Sequence, residues 1–124
     1  ANLLEIERSQ PWILTGVAGE ALANNQAVCL ETSGQIHLAD SNAAAPRFNM
    51  LGLALNSAAI GVQVRVRMMG MVTFTHSFTP GALLYLSETP GALTVTPPTT
   101  PRIVGMAFPA NKILIYPMRS WAAA

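Results

Sequence analysis

The residues able to do chemistry are few in this sequence, and they stand apart. His37 and His76 have neither a His-x-x-x-His nor a Cys-x-x-Cys companion, so the spacing that gathers metal ligands on one element is missing. Each falls in a stretch read as strand, where a surface or partly satisfied ring is expected. Asp40 and the five glutamates are dispersed. Glu5 and Glu7 lie together, but in a segment read as an arm, and no carboxyl pair flanked by apolar residues suggests an acid held protonated for catalysis. Gly-x-Ser-x-Gly, Gly-x-Gly-x-x-Gly and Walker-type loops are absent. Cys29, the single cysteine, sits between Val28 and Leu30, the place of a buried inert thiol, and forms no internal disulfide. The expectation is a protein that is not an enzyme, with no catalytic residues, no cofactor and no metal site.

Two groups stand out from this background. Arg65 and Arg67 alternate with Val64 and Val66, which puts both guanidinium groups on one strand face and the valines on the other. With Arg47 and Arg102 entering equivalent strands, they suit the carboxylates of another chain, a solvated strand face being the alternative. Met68, Met69 and Met71 cluster at a bend, where adaptable side chains fit either an interface or the core.

The elements that carry these residues come in two copies. Around Gly91, Gly81-Ala-Leu-Leu-Tyr-Leu-Ser-Glu-Thr-Pro-Gly-Ala-Leu-Thr-Val-Thr reads as two apolar strands and a turn, and residues 25–39 repeat it more loosely around Gly34. Val28 and Leu30 match Leu84 and Leu86 at one offset, whereas Gly34 and Ile36 match Gly91 and Leu93 at an offset one larger. The second turn therefore carries one extra residue. Downstream, Gly-Leu-Ala-Leu (52–55) matches Gly-Met-Ala-Phe (105–108), and each is followed by an alternating strand, Val62-x-Val64-x-Val66 or Ile113-x-Ile115. In the first of these, all three valines are expected to face the core. Short strands separated by Gly- and Pro-rich turns predict an all-β sandwich or barrel-like domain over residues 16–117, built from pseudo-repeats at about 17–70 and 71–117. An extended arm over residues 1–15 precedes it, a first strand being the alternative there, and a short tail over residues 118–124 follows.

The 124 residues suffice for one core without a metal or disulfide. Charged residues make up only 10% and hydrophobic ones 51%, and the net charge is +1. So weak and scattered a charge disfavours nucleic acid, and a surface poor in charge suits a protein partner. No apolar run approaches the length of a membrane span, so no membrane partner is expected.

The motifs Gly-Glu-Ala-Leu-Ala (19–23), Ala-Val-Cys-Leu (27–30), Gly-Leu-Ala-Leu (52–55), Leu-Tyr-Leu-Ser-Glu-Thr-Pro-Gly-Ala-Leu-Thr (84–94) and Val-Gly-Met-Ala (104–107) resemble those of tailed-bacteriophage capsid decoration, or cement, proteins. They are also similar to the related β-domains of phage head fibres and tail fibres. The likeness covers about residues 17–116, and its motifs are structural. It implies a virion structural protein, made in the host cytoplasm and placed on the capsid surface, that binds the major capsid protein and bridges neighbouring capsomers. It also implies a homo-oligomer, a trimer before a dimer. The residues expected at contacts with capsid or sister subunits are Leu3, Leu4, Ile6 and Trp12 of the arm, Arg65 and Arg67, and Trp121 of the tail. The alternative is a structural or receptor-binding module of a tail fibre or spike.

Overall fold

The computed structural model describes residues 13–41, 49–99, 101–109 and 111–117. Among these there is no helix, and ten strands form two five-stranded antiparallel sheets packed as a sandwich. The first sheet holds β1 (Ile13–Val17), β2 (Ala27–Leu30), β3 (Ile36–Leu38), β4 (Gly52–Ala54) and β5 (Gln63–Arg67). The second holds β6 (Gly70–Thr73), β7 (Leu83–Leu86), β8 (Leu93–Thr94), β9 (Ile103–Phe108) and β10 (Lys112–Ile115). Residues 13–15, within the stretch expected as an arm, are thus the start of β1. Residues 1–12 and 118–124 lie outside the described residues.

The duplication is visible in the topology. The orders are β1-β5-β4-β2-β3 and β6-β10-β9-β7-β8, so adding five to each strand of the first sheet yields the second. Registers agree as well: Ala54 stands opposite Val66 as Ala107 stands opposite Ile113. Two matching glycines mark where backbones crowd. A Cβ at Gly52 would collide with the carbonyl oxygen of Arg67, and one at Gly105 with that of Leu114, the corresponding residue of the other sheet.

The sheets differ in how they satisfy their apolar faces. The first rolls until its edge strands meet, Ala18 just after β1 forming a parallel bridge with Ile36 of β3. Closing an odd number of antiparallel strands requires one parallel junction, and this is it. Inside the roll, Val28, Ile36, Ala54, Val64 and Val66 pack with Ala18, Leu22 and Ala58. The other face of the same strands, with Ala27, Cys29 and Leu53, packs against Leu84, Leu86, Val104, Ile113 and Ile115 of the second sheet. The first sheet is therefore buried on both faces, which is why β2 and β4 are buried at every position but Leu30.

Backbone hydrogen bonds tie the halves together. Gly91 N–H donates to Ala39 O and Ala27 N–H donates to Gly91 O, each at 2.8 Å, and Ser41 N–H reaches Ser87 O at 3.1 Å. The side-chain amide of Asn25 adds a bond to Thr73 O at 3.3 Å.

Two sequence expectations need correction. Val62 does not point into the core: β5 starts one residue later, at Gln63, and Val62 belongs to the preceding turn with half of its surface exposed. Arg102 is not offered to another chain, because it enters β9 next to Leu86 and is only 4% exposed.

Candidate functional site

Among the described residues, His37, His76 and Cys29 each have a partner within the fold, and Glu5 and Glu7 lie outside the described residues. His37 and Glu20 lie at the seam of the first sheet. Gly19 N–H donates to Ile36 O, and one residue on, Glu20 Oε2 accepts the N–H of Leu38 at 2.8 Å and lies 3.1 Å from His37 Nδ1. The carboxylate continues the closure where backbone pairing stops, satisfying an edge N–H that has no strand beside it. His76 is held by backbone on both ring nitrogens. Its Nε2 lies 3.0 Å from Phe108 O and 2.9 Å from Lys112 O, so it carries the proton, and Nδ1 accepts the N–H of Phe78 at 3.0 Å. The ring, stacked on Phe78, ties residues 76–78 to the adjoining ends of β9 and β10. Cys29 is fully buried, and its thiol donates to Leu38 O at 3.6 Å.

Among the described residues, no three of His, Cys, Asp and Glu come together as a metal cluster would require. An open groove of about 450 Å³ lies between the 87–91 turn and the proline-rich loop. Hydroxyl groups of Ser87, Thr89, Thr94 and Thr96 line it, and Glu88 at its side accepts the N–H of Thr99.

Of the seven residues expected at contacts, the described residues include Arg65 and Arg67; Leu3, Leu4, Ile6, Trp12 and Trp121 lie outside them. The two arginines do share the outer face of β5, opposite buried Val64 and Val66. Arg65 is exposed, its backbone N–H fixed by Asn56 Oδ1 at 2.8 Å. Arg67 is half-buried, with its guanidinium near Gly70.

The surface features that stand out are apolar instead. At one end of the first sheet, Val17 is 39% exposed, Ile60 69% and Val62 50%. They sit together because Val17 pairs with Gln63 and because Ala18 N–H bonds Val62 O while Gly61 N–H bonds Ala18 O. Residues 56–63 carry no charged side chain. The second feature is a row across the outer face of the second sheet, where Met71, Leu114, Met106 and Leu83 are successive register partners on four strands. Met71 and Leu83 at its ends are 44% and 36% exposed.

Sequence reasoning passed over the first, and of the row it singled out Met71 alone, as a side chain that fits either an interface or the core. The signal for the row was present: Leu-Leu-Tyr-Leu and Lys-Ile-Leu-Ile are apolar at both parities, unlike Gln-Val-Arg-Val-Arg, and a strand apolar on both sides has two faces to cover. What this arrangement offers is burial of apolar surface against a partner. No family model matches the chain, and no curated protein shows detectable similarity to it.

Proposed function

We propose that this chain is a virion structural protein that binds the outer surface of a phage capsid and stabilises it by bridging neighbouring capsomers. The observation that carries the reading is the set of exposed apolar side chains Val17, Ile60 and Val62, carried on neighbouring backbone at one end of a body cross-tied by backbone hydrogen bonds. Large apolar side chains gathered at one end of a sheet mark an interaction surface, and scattered ones do not. A rigid body with a small apolar contact is suited to repeated docking on a lattice, where many weak contacts sum and where binding only the assembled shell stabilises that shell. The resemblance of residues 17–116 to cement proteins points the same way. The exposed Arg65 supplies a cation for a carboxylate of the capsid protein at the rim of such a contact. Homotrimers on local three-fold positions are the preferred assembly, with dimers as the alternative.

Co-sedimentation with purified capsids tests this. The protein should bind at a copy number near that of the capsid protein, and Ile60→Asp with Val62→Asp should abolish binding while leaving the melting temperature almost unchanged, since both side chains are exposed. A handful of copies per particle would favour the fibre or spike module. Full binding by the double variant would reject this surface as the contact.

A further inference from the structure

The groove beside the 87–91 turn has walls that the fold holds still. Gly91 N–H donates to Ala39 O, Gly91 O accepts the N–H of Ala27 and Ser87 O that of Ser41, so three backbone bonds fasten the turn to the first half. The opposite wall is stiffened by Pro97 and Pro98. Glu88 Oε2 joins the two walls by accepting the N–H of Thr99 at 3.0 Å. The volume of about 450 Å³ falls within the roughly 300–1,000 Å³ of small-molecule sites.

We propose that this groove binds a neutral saccharide. Its polar groups are set in direction before a ligand arrives. Ser87 Oγ accepts the N–H of Thr89 at 2.9 Å and Thr94 Oγ1 that of Thr96 at 3.1 Å, which leaves each hydroxyl its own proton to donate. Glu88 engages Thr99 through Oε2, so Oε1 remains an acceptor. Paired donors beside a charged acceptor match the neighbouring hydroxyls of a sugar ring, each of which both donates and accepts. Five of the eight residues described along the groove carry hydroxyls, which favours a ligand as dense in hydroxyls as a sugar over a peptide. The negative charge of Glu88 disfavours anions. Tyr85 supplies the complement: it is the register partner of Thr94, so its half-buried ring stands next to Thr94 at one border of the groove. The C–H face of a sugar packs on such a ring while its hydroxyl edge meets Ser87, Thr94 and Glu88.

This inference is independent of capsid binding and is tested on the purified protein without capsids. Amide resonances of the isotope-labelled protein are followed while maltose, cellobiose, lactose and chitobiose are each added to millimolar levels. At least one of the four should shift the amides of Thr89, Thr96 and Thr99 in a saturable way. Glu88→Gln keeps an oxygen for the Thr99 N–H but replaces the remaining acceptor with a donor, and it should weaken that binding about tenfold or more. The nearly isosteric Thr94→Val, which removes one donor, should weaken it several-fold, and Tyr85→Leu, which removes the ring, should do the same. Unmoved amides in β2 and β9 of each variant show that the fold is kept. Silence at the three groove amides with all four sugars, shifts confined to another surface, or parent-like affinity in both Glu88→Gln and Thr94→Val overturns the proposal.

Discussion

The turns at Gly34 and Gly91 hold matching places in the two halves, and their φ angles, +86° and +82°, are nearly the same. Their surroundings are opposite. No atom lies within 4 Å of where a Cβ on Gly34 would stand, while a Cβ on Gly91 would press on Leu38 Cδ2 at 2.9 Å. The difference comes from the one extra residue in the second turn. In the shorter turn Gly34 N–H is consumed by Glu31 O, but in the longer one Ala92 N–H closes the turn onto Thr89 O. Gly91 then spends its own N–H and C=O on Ala39 and Ala27 of the other half. A single insertion turns a surface loop into a joint.

The contrast between halves is sharpest at the outer rows. Leu53→Ala should cost about 2–5 kcal/mol, as for a fully buried leucine, whereas the corresponding Met106→Ala should cost roughly 1 kcal/mol because its surroundings are half open. Urea denaturation of the two variants reads the difference, and equal losses would mean that the two faces are equally covered. Next in size is the turn pair. Gly91→Val should destabilise by about 2–4 kcal/mol, combining a strained positive φ with overpacking against Leu38, and Gly34→Val by about 1–2 kcal/mol from backbone strain alone. Thermal melts that rank the two the other way would break the comparison. The smallest effect belongs to the seam, where Glu20→Ala should cost about 1 kcal/mol, since its carboxylate is one-third exposed and partly screened. Hydrogen exchange at the Leu38 amide, faster in that variant than in the parent, locates the loss.

The repeat was legible because turns and crowded backbones demand particular residues. Gly34, Gly91, Gly52 and Gly105 stand at matching places for physical reasons, and the change of offset between Leu86 and Gly91 announced the longer turn. The alternation of Val64 and Val66 with Arg65 and Arg67 likewise fixed two faces of β5. The rolling of the first sheet was not legible. The bridge from Ala18 to Ile36 joins two edges through backbone atoms, which leave no mark on side-chain pattern, and the roll ends β5 pairing in a turn that carries Val62 outward. Arg102 misled for a related reason: a long cation looks like a surface residue until tertiary packing encloses its stem. The apolar end at Val17, Ile60 and Val62 could not be read because it is assembled from segments over forty residues apart.

The self-filled interior of the first sheet has a consequence for how the molecule comes to exist. Ala18, Leu22 and Ala58 fill the inner face of the first sheet from within the same half, which can condense early in synthesis, whereas the inner face of the second sheet is filled only in part by Phe74 and Phe78 of its own half and completes its burial on a surface already made. The earlier half thus serves the later one as a mould, and synthesis from the N-terminus delivers mould and casting in the required order.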